Sequence, residues 1–221
     1  FSTGKRRAKS TAGMLSTVGY SLGSEVCYAL EGSVFNAGSA VQWLRDELRF
    51  FRHSRESETQ ALKVPDTGGV YVIPAFTGLG APYWNPDARG VITGISRGTN
   101  KYHITRAVLE SMAYAARDLT ACMERDSGVT LSELRCDGGA SANDFLMQFQ
   151  ADVLNVAINR PKERESTALG ATYLCAIALG LLKAKEVEDL RAVDRVFEPS
   201  AEREKFEALY RGYLEAVKRC L

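Results

Sequence analysis

The run Asp137-Gly138-Gly139-Ala140-Ser141-Ala142-Asn143 has the residue types that hold an anion on main-chain groups alone. Leu134 to Cys136 before it is short and apolar, as a strand end would be. Phe145, Leu146, Phe149 and Val153 after it recur at helical spacing. Adjacent glycines admit left-handed backbone angles and let N–H groups approach a ligand closely. The positive end of a following helix then favours a phosphate. An ordinary strand-to-helix turn is the alternative reading of an isolated Gly-Gly pair. Gly38 and Gln42 form a second candidate, one turn apart on a predicted helix and so on one face. A glycine in mid-helix costs roughly 1 kcal/mol against alanine. Two explanations fit: close approach of a neighbouring element, or a flat ligand against the backbone with the Gln42 amide reaching a ring or ribose. Gly78 and Gly80, followed by Pro82, Tyr83 and Trp84, make a tight loop with aromatic walls, suited to closing off a core or to lining a cleft.

No catalytic side chain is readable. The two histidines, His53 and His103, have no nucleophile near them in sequence. Asp137 stands beside the glycine turn, where a cation accompanying a phosphate would lie. One carboxylate is not a metal site, however, and a turn-stabilising role suits it. The residues alone therefore yield a phosphate-cradling half-site, with no catalytic residue and no metal ligand assigned.

These candidates need elements to position them. Residues 15–20 and 25–31 are β-rich and flank Leu22-Gly23-Ser24, a predicted hairpin with a glycine turn. Residues 34–51 carry apolar side chains at Phe35, Val41, Leu44, Leu48 and Phe51, an amphipathic helix. Residues 53–66 are polar and mixed in charge, an expected surface excursion. Strands are predicted over 69–75 and 91–95, separated by the 77–86 loop. A long helix over 103–125 has Ile104, Val108, Met112, Ala115 and Leu119 in one stripe and Gly128 as its stop signal. A short strand over 156–159 closes at Pro161. The apolar segment 167–182 reads as a helix buried between layers, 184–198 as a polar connector, and 201–221 as an amphipathic helix capped by Ser200. A hairpin followed by alternating strands and helices predicts one α/β domain: a mixed sheet with helices on its faces.

Composition bounds the class further. A chain of 221 residues can bury a substantial core. Its net charge is +1, with Lys and Arg scattered rather than striped, which argues against a nucleic-acid partner. The longest uncharged apolar stretch, 168–182, is shorter than the ~20 residues of a membrane span. Five cysteines, odd in number and scattered, suit reduced thiols in the cytoplasm. The basic run Lys5, Arg6, Arg7 and Lys9 reads as solvated surface. The abrupt start at Phe1, without an initiator Met or a signal peptide, leads to the expectation that this is a piece of a longer polypeptide.

One longer pattern ties these pieces together. Tyr71-Val72-Ile73-Pro74-Ala75-Phe76-Thr77-Gly78-Leu79-Gly80-Ala81-Pro82-Tyr83-Trp84 resembles the central segment of enzymes of the FGGY carbohydrate kinase family. Gly90-Val91-Ile92-Thr93-Gly94-Ile95, then His103-Ile104 and Ala107-Val108-Leu109-Glu110, are similar to that family's C-terminal signature in type and spacing. Ala29-Leu30-Glu31-Gly32, Gln42-Trp43-Leu44-Arg45-Asp46 and Asp137 to Asn143 extend the resemblance over essentially the whole chain, and its motifs are most like those of the members that phosphorylate glycerol.

The resemblance implies a ribonuclease H-like lobe of the actin/hexokinase type, the C-terminal one of two that face each other across a cleft. It places Gly38, Gln42, Gly139 and Asn143 at nucleotide-contacting positions, with Gly138 and Ala140 in the same turn. It implies ATP with Mg2+ as donor, glycerol as acceptor, and a homo-oligomeric parent without a membrane span. The family's catalytic Asp, its glycerol-contacting side chains and a phosphate-binding Thr would lie upstream of Phe1, so this chain alone is expected to be inactive. Another sugar kinase of the family, acting on a pentulose or gluconate, and a non-catalytic actin-like regulatory lobe are the alternatives.

Overall fold

A computed structural model of the chain describes residues 1–187 and 189–221. The first sheet is antiparallel, in the order β1 (Ser2–Gly4), β3 (Glu25–Glu31), β2 (Leu15–Leu22). Its β2–β3 hairpin turns at Gly23, whose φ of 59° is left-handed. This agrees with the predicted glycine turn.

The next helix, α1 (Gly38–Asp46), is shorter than the 34–51 pattern predicts. Residues 33–36 are held to the 77–86 loop instead: Ala81 N–H donates to the Ser33 carbonyl at 3.1 Å, and the Asn36 amide donates to Thr77 Oγ1 at 3.4 Å. Those contacts keep the segment out of the helix, so Gly38 is the first helical residue rather than a mid-helix one. At the other end Arg49 takes a positive φ of 56°, which ends the helical path.

The 53–66 segment departs from expectation too. It forms a short helix, α2 (Glu56–Ala61), whose Ser57 and Ala61 are buried. The Glu56 carboxylate accepts from the His53 N–H at 2.9 Å, closing its first turn. Strands β4 (Tyr71–Ile73) and β5 (Val91–Thr93) pair antiparallel. Helix α3 (Lys101–Ser127) begins at Asn100, whose side chain accepts from Tyr102 N–H, and stops at Gly128 with φ 71°.

Helix α3 is the spine of the molecule. It packs against α1, α2, α4 (Asp144–Leu154) and α6 (Arg203–Lys218). Within that core Tyr114 is 1% exposed and stacks on Tyr213 at 4.9 Å between ring centres. Arg106 Nε meets the buried Glu110 at 2.9 Å. Burial pushes the Glu110 carboxyl up to about 6, against the pull of Arg106.

The mixed sheet lies in the second half: β6 (Glu133–Arg135) parallel to β7 (Ala157–Pro161), which pairs antiparallel with β8 (Val193–Phe197). Helix α4 packs against β7 and β8. Strand β8 falls within the expected polar connector, which corrects that reading; residue 188 of the connector lies outside the described residues. Phe197 is 1% exposed and anchors β8. Charged Asp194 and Arg195 masked the strand pattern, yet both have partners across it: Asp194 with Arg160 at 2.7 Å and Arg195 with Asp144 at 2.6 Å.

Two further expectations fail. Helix α5 (Ser166–Ala178) forms, but none of its residues is buried. Its apolar side chains lie around the whole circumference, the pattern of a buried helix, yet in this chain they stay partly or fully exposed. Ser200 does not cap α6; its N–H donates to Asp152 at 2.7 Å, and Glu202 precedes the helix without a side-chain cap.

Candidate functional site

Strand β6 delivers the chain to Gly138, the only one of the paired glycines with a left-handed φ, 79°. A single 3₁₀ turn, Gly139–Ala142, then separates the strand from α4. The turn is held rigidly from behind. Ser141, 1% exposed, donates its hydroxyl to the Gly138 carbonyl at 2.7 Å. The Arg160 guanidinium donates to the Ser141 carbonyl at 2.8 Å and to Asp144 at 2.7 Å. Gly138 N–H donates to the Arg164 carbonyl at 2.9 Å. Gly139, Ala140 and Ala142 face outward.

The start of α4 carries a side-chain cap. Asn143 Oδ1 accepts from Leu146 N–H at 2.9 Å, so the Asn143 side chain itself caps that helix.

A cavity of about 440 Å³ opens in front of the turn. Gly139, Ala140, Ala142 and Asn143 form one wall, and Gly38 and Gln42 of α1 form another. Val41, Leu109, Met112 and Leu146 supply its apolar surface, large enough for a flat ring. Five of the six predicted site residues line this one space, although about a hundred positions separate the two groups in sequence. The sixth, Gly138, shapes the turn without lining the cavity.

The close-approach explanation of Gly38 fails here. A methyl group placed on Gly38, Gly138 or Gly139 would meet nothing within 4 Å. None of these glycines is demanded by a neighbour in the chain.

Sequence reasoning missed the wall supplied by α2 and the residues before it. Ser54, Arg55, Ser57 and Glu58 line the same cavity. Ser57 Oγ accepts from the Asn143 amide at 3.4 Å, and Glu58 Oε1 accepts from Phe145 N–H at 3.3 Å. The signal lay in Ser57 and Ala61, two small residues one turn apart in an otherwise charged stretch.

The aromatic glycine loop lies elsewhere and serves packing. Tyr83 donates to Asp118 at 2.8 Å, and Trp84 Nε1 donates to the Gly13 carbonyl at 2.6 Å. Asp118 also accepts from Tyr210, and burial raises its carboxyl above the usual range. Asp137 is exposed and lies on the α5 side of the sheet, beside a separate cavity. Among the described residues no cluster of three or more His, Cys, Asp or Glu side chains could hold a metal ion. No described helix is long and apolar enough to cross a membrane.

Comparison with known proteins agrees with this architecture. Residues 1–179 match the FGGY family of carbohydrate kinases, C-terminal domain. The chain is 55% identical over 218 residues to the glycerol kinase of Symbiobacterium thermophilum, covering 98% of this chain and 44% of that protein. A crystal structure of Plasmodium falciparum glycerol kinase with ADP superposes with a TM-score of 0.90 at 34% identity, covering 100% of this chain and 44% of the other. Gluconate kinase from Lactobacillus acidophilus superposes with a TM-score of 0.82 at 25% identity, covering 98% and 44%. The chain thus spans under half the length of the relatives it matches.

Proposed function

The chain belongs to the FGGY family of carbohydrate kinases, and on that footing we propose that it is the nucleotide-binding lobe of an enzyme that transfers the ATP γ-phosphoryl group to a primary hydroxyl of glycerol, giving glycerol 3-phosphate. The observation that carries this reading is the shared cavity, where Gly38 and Gln42 face Gly139, Ala140 and Asn143 across space that no side chain fills. Such a space fits a nucleotide: an apolar surface for the base, polar groups for the ribose, and a rigid main-chain turn for the phosphates. The preference for glycerol rests on the 55% identity to a glycerol kinase and, between superposed structures, on 34% identity to a glycerol kinase against 25% for the gluconate kinase.

The residues of this chain hold and orient. The 138–142 turn presents main-chain groups at fixed positions because Ser141 and Arg160 clamp it from behind. That preorganisation removes an ordering cost when phosphates bind. ATP supplies the phosphoryl group, and with no metal cage among the described residues, Mg2+ would arrive on the phosphates. The group that takes the proton from glycerol, and the glycerol contacts themselves, belong to a second lobe, so this chain alone binds nucleotide without turning it over. Its place is the cytoplasm, in a homo-oligomeric parent.

Titration with ADP, followed by amide NMR shifts, tests the reading. The expected result is shifts concentrated at Gly38, Gly139, Ala140 and Asn143. Shifts clustered elsewhere with none at the turn would overturn it.

A further inference from the structure

The 138–142 turn spends its acceptors inside the protein. The Gly138 carbonyl accepts from the Ser141 N–H at 3.1 Å and from the Ser141 hydroxyl at 2.7 Å, and the Ala140 carbonyl accepts from the Asn143 N–H at 3.2 Å. Among the described residues no main-chain N–H donates to the Ser141 carbonyl; the Arg160 guanidinium does so instead, at 2.8 Å. Donors are what the turn keeps. The N–H groups of Gly139 and Ala140 have no hydrogen-bond partner among the described residues, and both residues line the cavity.

Arg160, on β7, is in turn held by α4 and β8. Its side chain is only 9% exposed. Nη1 also donates to Oδ1 of Asp144, the first residue of α4, at 2.7 Å, and Nε donates to Asp194 Oδ2 of β8 at 2.7 Å. The other Asp144 oxygen accepts from Arg195 of β8 at 2.6 Å. Both guanidinium groups lie over the Phe197 ring, 5.1 and 4.5 Å from its centre. A planar fork can serve Ser141, Asp144 and Asp194 together because Nε and Nη1 donate from fixed positions, which a single ammonium does not offer.

Resting on the nucleotide reading above, we propose that Arg160 is a positioning residue for the phosphates and that β8, through Asp194, sets how firmly it acts. Arg160 fixes a turn carbonyl that no main-chain group holds. Released, the Ser141–Ala142 peptide is free to rotate and to set an acceptor against an anion. Neither Arg160 nor any residue of β8 lines the cavity, so their effect reaches a ligand only through the turn.

Calorimetric binding of ADP and of adenosine to this chain separates the turn from the rest of the cavity. Arg160→Lys keeps the charge and loses the fork; it is expected to weaken ADP about tenfold and leave adenosine unchanged. Asp194→Ala should weaken ADP about threefold, again without effect on adenosine, and Asp194→Asn, whose carbonyl oxygen still accepts the Nε–H, should recover most of that loss. A merely structural role would move both ligands together or neither. An unchanged ADP-to-adenosine ratio in Arg160→Lys or Asp194→Ala therefore overturns the proposal and leaves the nucleotide reading standing. The Asp194 side chain is 45% exposed, so its two variants decide even where Arg160→Lys does not fold. Absence of ADP binding by the unsubstituted chain overturns both readings.

Discussion

In the 77–86 loop a methyl group placed on Gly80 would lie 2.2 Å from the Ser33 carbonyl oxygen, and one on Gly78 would lie 2.7 Å from the Asn85 carbonyl oxygen. At Gly38 and Gly139 the same methyl group would meet nothing within 4 Å. Both regions are glycine-rich, and both contribute motifs to the family resemblance. In the first, glycine is required because another part of the chain already occupies the space where a side chain would go. In the second, the chain leaves the space open and rigid. A glycine whose absent side chain is replaced by the protein's own backbone marks packing, whereas Gly38 and Gly139, with open space where a side chain would go, both border the 440 Å³ cavity.

Substitutions separate these two kinds of glycine. The largest effect is expected at Gly80→Ala, where the obstacle is a main-chain carbonyl that also accepts the Ala81 N–H. Overpacking of this kind costs about 3 kcal/mol, read as a lower denaturation midpoint, and any loss of nucleotide affinity should follow the loss of folded protein. An unchanged midpoint would show that the Ser33 segment yields easily and would weaken the contrast.

Gly139→Val should do the opposite. With open space around it and no left-handed φ, Gly139 can carry a side chain at little cost to stability, while ADP affinity is expected to fall about tenfold because the isopropyl group would stand where the phosphates are proposed to lie; tenfold corresponds to about 1.4 kcal/mol. Retained affinity would remove Gly139 from the site. The smallest effect is expected at Gly38→Ala: a gain of about 0.5 kcal/mol in unfolding free energy from the reduced freedom of the unfolded chain, with a modest loss of ADP affinity. A loss of stability there would mean that a neighbour does press on Gly38.

Much of this was legible in advance because it is local. The β2–β3 hairpin, the long α3 with its Gly128 stop, and the glycine turn before α4 follow from periodicity and turn chemistry read within a few residues. The readings that failed depended on partners distant in sequence. Helix α1 starts late because Ser33 and Asn36 bond to the 77–86 loop. Strand β8 was hidden by charges that find their partners on β7 and α4. Helix α5 forms as its composition predicts, yet composition does not say what packs against it, and none of its residues is buried.

The amino-acid sequence by itself determined where the backbone could turn sharply, which segments had a helical or extended period, and, through its motifs, which family the chain resembles. Only the tertiary structure decided that Gly38 and Gln42 face Gly139, Ala140 and Asn143, and that α2 closes the same space. The division has a physical cause. Turn and helix preferences are set by steric and hydrogen-bonding terms between residues close in the chain. The chemistry a cavity offers is set by which hydrogen-bonding groups have been used up by partners far along it, and folding alone settles those pairings.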